Sequence, residues 1–182
     1  CECLPNQKQD LIDSFKDFSL DIYSKLSDNE SMFFVDKTPR YYLIIDGIIE
    51  TFPEAKFIFL WRNPLAVASS INQTWAKGKW KLYAYKVDLF TGLEKLLLAK
   101  GKYRERSISL RYEDLISNPE DSVKLVCEYI NIEYEKSMVA SFDKVKLKGE
   151  LGDPTGVRKY QQVSDKSLSR WVLDFSSPIR KI

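Results

Sequence analysis

The sequence predicts an α/β fold, a parallel sheet with helices on both faces, and three observations predict it. Short apolar runs of strand length alternate with longer stretches of helical period, the pattern of repeated β-α units. The run from Lys56 to Trp61 is almost entirely apolar and aromatic, as in a strand buried on both faces. Directly after it, Asn63-Pro64 supplies a helix start, with Asn63 as N-cap and Pro64 in the first turn.

The elements follow in order. From Gln7 to Leu26, Leu11, Ile12, Phe15, Phe18, Ile22 and Leu26 recur at steps of three and four, which predicts an amphipathic helix that stops at Asp28-Asn29. Phe33 to Asp36 reads as a strand running into a turn at Thr38-Pro39, then a helix from about Tyr41 to Thr51. After the strand at Lys56 to Trp61 and the helix that Pro64 opens, a long helix is expected from about Trp80 to Ala99. Ser107 to Leu110 is a third strand leading into Arg111-Tyr112, with helices over Pro119 to Ile130 and Glu135 to Phe142. The stretch Lys144 to Val163, rich in Lys, Gly and Asp, is a long loop of the kind that serves as a binding lid. The 182 residues, 44% hydrophobic and 13% aromatic, suit one domain, residues 1–182.

Composition narrows function. A formal net charge of +2 provides no strong basic field, so nucleic acid is not an expected partner and any anion must be held by a few placed residues. The chain contains no histidine, which removes Ser/His/Asp and Cys/His nucleophile systems and histidine-bearing metal sites. Cys1, Cys3 and Cys127 fit neither a disulfide framework nor a zinc ribbon. A reducing, cytoplasmic location is therefore the expectation. No apolar run approaches the roughly 18 to 20 residues that span a bilayer.

In an open parallel sheet, ligands gather beyond the carboxyl ends of the strands. Three clusters fall at predicted strand ends: Asp36-Lys37, Arg62 and Arg111-Tyr112. Arg62 sits at the tip of a strand beside a helix N-terminus, whose unpaired N–H groups favour an anion. Ser70 follows Asn63 by seven residues, close to two turns, and shares a face with the cap. Arg62 and Ser70 can thus clamp one phosphate. By spacing alone, a structural ion pair for Arg62 and a solvated Ser70 fit as well.

Four segments then point the same way. Phe52 to Pro64, continuing to Ser69-Ser70, resembles the 3′-phosphate-binding motif of the sulfotransferases, in which an Arg at a strand end and a Ser eight residues later hold the donor's 3′-phosphate. Phe34 to Tyr42, with Asp36-Lys37-Thr38-Pro39, resembles the acidic-Lys-Thr/Ser-Pro segment of the glycan and protein-tyrosine enzymes of that family. Ile108 to Leu115 is similar to its Tyr-Glu-Asp-Leu segment. Gly152 to Tyr160, with Ser167 to Trp171, is similar to its late loop and Ser-Arg/Lys-Trp helix start.

The resemblance implies a sulfotransferase fold, a three-layer sheet related to the P-loop nucleotide-binding proteins. It also implies transfer of a sulfuryl group from 3′-phosphoadenylyl sulfate (PAPS), without a metal, to a hydroxyl or amine on a small-molecule, glycan or protein acceptor. It places Arg62 and Ser70 on the 3′-phosphate, Tyr112 at the adenine, Lys37 on the transferring group and Arg158 and Lys159 as further phosphate contacts. It makes Glu2 the base, while Asp36 carries no assigned role beyond a cap of the following turn. Members of this kind open with a strand and a Pro-Arg-Ser-Gly-Thr-like loop for the 5′-phosphosulfate. The resemblance starts at about Cys1 and runs to Val172 without that loop, so a segment of a longer enzyme is expected. Two other functions remain open: a non-catalytic module for adenosine 3′,5′-bisphosphate, and a P-loop kinase relative. Trp75, Trp80, Tyr83 and Tyr85 are candidates either for an acceptor platform or for core.

Overall fold

The computed structural model describes residues 3–27, 31–76, 78–79, 82–140 and 165–176. In chain order the elements are α1 (Lys8–Leu26), α2 (Ile45–Thr51), β1 (Phe57–Trp61), α3 (Pro64–Thr74), α4 (Gly92–Lys102), β2 (Ser107–Arg111), α5 (Tyr112–Ser117), α6 (Pro119–Ile130) and α7 (Lys166–Phe175). They fall into two compact units, Cys1–Lys56 with Thr91–Arg106, and Phe57–Phe90 with Ser107–Ile182.

The first unit is helical. Tyr42, Ile49 and Ala99 form its buried centre. Arg106 ties its turn together, donating from Nη2 to the carbonyl oxygens of Phe52 at 2.9 Å and Ala55 at 3.2 Å. Phe52 is the C-cap of α2, and Ala55, whose N–H also donates to Phe52 O at 3.1 Å, closes the turn that follows it. At the start of α4, Gly92 lies under the Tyr42 ring so closely that a Cβ would sit 2.8 Å from Tyr42 Cζ. Tyr42 is buried and cannot swing aside. At the first position of a helix alanine gains little propensity, so Gly92→Ala is expected to destabilise by about 1–3 kcal/mol through overpacking. A thermal melt should fall by a few degrees, roughly 2–4 °C per kcal/mol at this size.

The second unit is built on a parallel pair. β1 and β2 run in register from Phe57 opposite Ser107 to Trp61 opposite Arg111. Parallel strands need a crossover, and the pairing bears out the α/β reading. Phe59, Leu110, Ala66, Ala68 and Cys127 are buried within this unit. Asn131, at φ 64°, closes α6 in the left-handed conformation that Asn tolerates, with Ile132 N–H donating to Cys127 O at 2.9 Å.

Several elements differ from their sequence expectation. Phe33 to Asp36 is exposed chain outside any strand, since an apolar run becomes a strand only where a ladder partner meets it. β1 buries one face only: Phe59 is 6% exposed, whereas Ile58 and Leu60 are 44% and 52% exposed. The expected long helix before Ala99 is broken into a 3₁₀ turn at Leu82–Tyr85 and a π turn at Val87–Thr91 ahead of α4. After Glu135 a single 3₁₀ turn, Lys136–Met138, stands among the described residues where a helix was expected. The long loop, Lys144 to Val163, lies outside the described residues, as does Trp80. Trp75 and Tyr83 are well exposed, which removes them from the core.

Candidate functional site

The strand register builds the site in the second unit. Because Trp61 pairs with Arg111, the next residues, Arg62 and Tyr112, leave the two strand ends side by side. The Arg62 guanidinium lies over the Tyr112 ring, 4.3 Å from its centroid, a cation–π contact. Both side chains are half-buried. The sequence placed these two residues at neighbouring strand ends, and the structure brings them together.

Asn63 begins α3. Its side-chain oxygen accepts from Leu65 N–H at 2.9 Å, the N-cap bond, and Pro64 occupies the first turn. Its backbone N–H donates to Glu113 Oε1 at 2.8 Å. Glu113, in the first turn of α5, thereby ties the start of α3 to that of α5. Burial opposes ionisation of Glu113, but hydrogen bonds from the N–H groups of Asn63 and of Glu113 itself, with the charges of Arg111 and Arg62, outweigh it and hold the carboxyl below its ordinary value. A folded-state value lowered in this way contributes stability above the unfolded value, and that stability is lost as pH falls through the folded value. Glu113→Gln is expected to cost about 1–2 kcal/mol at neutral pH. Its acid melting curve, followed by circular dichroism below pH 5, should be shallower than that of the parent.

Along α3 two adjacent serines part company. Ser69 is buried and donates its hydroxyl to the Asp174 carboxylate on α7, which also accepts from Gln73 Nε2. Ser70, one residue on, is exposed. The residue that the spacing selected for phosphate is therefore the one whose hydroxyl faces outward. Arg62 follows β1, Asn63 caps the start of α3, and Ser70 is exposed two turns along that helix.

Lys37 belongs to the first unit, where its side chain is exposed. Its neighbour Asp36 is more than a turn cap. The Asp36 carboxylate accepts from Tyr23 Oη at 2.9 Å, Tyr41 Oη at 2.5 Å and Thr38 Oγ1 at 3.2 Å. The Tyr23 ring stacks on Phe34 with centroids 4.2 Å apart. Burial, together with the hydrogen bond to Asp36 and its charge, pushes the Tyr23 phenol up to about 12, and burial and Asp36 raise Tyr41 as well. Both phenols thus stay protonated and keep donating, which fixes the chain around Lys37.

Glu2, Arg158 and Lys159 lie outside the described residues. Among those described, no group of three or more His, Cys, Asp or Glu side chains is placed to hold a metal, and no helix is long and apolar enough to cross a membrane. Reading the sequence did not single out Glu113, Tyr23, Tyr41 or Asp174. Glu113 lies inside the Tyr-Glu-Asp-Leu segment, but its partner Asn63 is 50 residues away, and Asp174 is 105 residues from Ser69.

Comparison with known proteins gives concordant results. A family model described as "Sulfotransferase family" matches residues 4–136. The nodulation protein NoeE of Sinorhizobium fredii is 25% identical over 161 residues, covering 75% of this chain and 38% of that protein. The omega-hydroxy-beta-dihydromenaquinone-9 sulfotransferase Stf3 of Mycobacterium tuberculosis is 28% identical over 109 residues, covering 53% of this chain and 28% of its own. The chain thus spans well under half the length of these relatives. Two solved structures share the fold. The sulfotransferase domain from the curacin biosynthetic pathway has a TM-score of 0.67 at 19% identity, covering 84% of this chain and 60% of that one. The sulfotransferase domain of the Synechococcus PCC 7002 olefin synthase has a TM-score of 0.69 at 22% identity, covering 86% and 56%.

Proposed function

We propose, from the premise that this chain belongs to the sulfotransferase family, that it binds PAPS and serves transfer of the sulfuryl group to a hydroxyl or amine acceptor. The observation that carries the proposal is the set at the end of β1: the Arg62 guanidinium against Tyr112, the Asn63-capped start of α3, and Ser70 exposed along it.

Each residue has a role that its chemistry fits. Arg62 offers a planar fork of donors to the 3′-phosphate, and Ser70 adds a hydroxyl. Tyr112 offers aromatic surface to the adenine beside that phosphate. PAPS supplies a sulfuryl group activated by its anhydride link to the 5′-phosphate. In the transfer, the acceptor oxygen or nitrogen bonds to sulfur as the sulfur–oxygen bond to that phosphate breaks, releasing adenosine 3′,5′-bisphosphate, and the acceptor proton passes to a base. Lys37 holds positive charge where the bridging oxygen gains negative charge, and Asp36, with its two phenols, fixes the segment that presents it. Glu2 as the base and Arg158 and Lys159 as further phosphate contacts follow from the family pattern. The acceptor is a small molecule, glycan or protein. The name of one relative specifies a hydroxylated dihydromenaquinone, which places lipidic alcohols alongside sugars in a first panel.

The test is incubation of the protein with radiolabelled PAPS and alcohol, phenol and sugar acceptors, following label transfer and release of adenosine 3′,5′-bisphosphate. Transfer to at least one acceptor class is expected. Tight binding of the bisphosphate with no transfer, in a protein carrying a 5′-phosphosulfate loop, would favour a non-catalytic binding module. Preferential binding of a nucleoside triphosphate with magnesium would favour a kinase relative.

A further inference from the structure

We infer that Asp174 is a positioning residue for the 3′-phosphate site, setting the roll of α3 and with it the direction in which Ser70 presents its hydroxyl. The inference rests on the sulfotransferase reading of Arg62 and Ser70.

Ser69 is only 3% exposed, so its hydroxyl needs a partner inside the protein, and the Asp174 carboxylate provides one. Gln73, four residues on and therefore on the same face of the helix, donates to the same carboxylate. One acidic group thus grips α3 at two successive turns. Hydrogen bonds to an ionised carboxylate are roughly twice as strong as neutral ones.

Successive residues on a helix are about 100° apart, so fixing the face that carries Ser69 and Gln73 fixes Ser70 about a quarter-turn away. Ser70 also lies seven residues beyond Asn63, returning to the side of the helix where the N-cap sits. At that end Glu113 holds Asn63 N–H. Two carboxylates therefore pin α3, Glu113 at its start and Asp174 on its flank, and Ser70 projects from the helix so fixed. A helix that α7 merely covered would need neither a buried serine nor a shared acceptor.

The experiment is calorimetric titration of adenosine 3′,5′-bisphosphate and of adenosine 5′-monophosphate into the parent chain, Asp174→Ala, Ser69→Ala and Ser70→Ala, with folding checked by far-ultraviolet circular dichroism. Both Asp174→Ala and Ser69→Ala should weaken bisphosphate binding by about tenfold, the size of losing one hydrogen bond to a charged phosphate, and leave the monophosphate unchanged. Added to Ser70→Ala, Asp174→Ala should cost nothing further, because it acts through Ser70. Folded variants that bind the bisphosphate like the parent overturn the inference. So does equal weakening of both nucleotides, or a full additional loss in the Ser70→Ala background. If Asp174→Ala does not fold, Ser69→Ala and Gln73→Leu carry the comparison. A parent chain that fails to distinguish the two nucleotides overturns the underlying reading instead.

Discussion

Arg62→Ala is expected to lower affinity for adenosine 3′,5′-bisphosphate by about 10²-fold. A charge-assisted hydrogen bond contributes about 1.5–3 kcal/mol, and a guanidinium can make two to one phosphate, so a loss near 2.7 kcal/mol is a modest reading of what disappears. Affinity for adenosine 5′-monophosphate should barely change, which separates loss of a phosphate contact from general damage. The cation–π contact with Tyr112 is lost as well, at about 0.5–1 kcal/mol, so the melting temperature should fall only slightly. Arg62→Lys should recover part of the binding at most, because a point charge on a flexible stem reproduces neither the planar fork nor the stacking on the ring. Calorimetric titration with both nucleotides reads the affinities, and a thermal melt the stability.

Lys37→Ala should act on rate instead. If Lys37 stabilises charge on the bridging oxygen as the sulfur–oxygen bond breaks, its loss should lower the rate of sulfuryl transfer by about 10²–10³, the range seen when one preorganised electrostatic donor is removed. The product nucleotide carries no sulfuryl group, so its affinity should stay within a factor of about three of the parent value. Single-turnover transfer from labelled PAPS, compared with calorimetry on the same variant, makes the distinction. Equal loss in both would move Lys37 from the transferring group to the nucleotide.

The parts of the site legible in the sequence are those decided by local chemistry. An apolar run ending in Arg62-Asn63-Pro64 announces a strand, an N-cap and a first-turn proline within nine residues, and the structure has β1, the Asn63 cap and α3 there. Arg111-Tyr112 could be set at a strand end by the same reasoning, and the register then placed Tyr112 beside Arg62. What stayed hidden depends on contacts between distant residues. Glu113 reads as an ordinary helix-start acid until Asn63 N–H is found against it, and Tyr23 reads as one more position on an amphipathic helix until its phenol meets Asp36. The serine pair shows the same limit in two adjacent letters: the spacing selected Ser70, but only Asp174 explains why Ser69 is unavailable. Phe33 to Asp36 misled for the converse reason. Its composition suits a strand, yet strand identity belongs to a pair, and composition carries no information about the partner. The 3₁₀ and π turns before α4 escaped because apolar spacing at three and four residues does not distinguish a helix from its over- and underwound variants.

The measurement that bears most directly on the account is titration of the unaltered chain with adenosine 3′,5′-bisphosphate and, separately, adenosine 5′-monophosphate at the same ionic strength. The proposed placement of Arg62 and Ser70 on the 3′-phosphate predicts a preference of at least about tenfold for the bisphosphate, the equivalent of one net phosphate contact, and a preference that weakens as salt is raised. Equal affinity for the two nucleotides in the folded chain would contradict it, for the adenine that Tyr112 would meet is common to both ligands and Arg62 and Ser70 are proposed to meet only the 3′-phosphate.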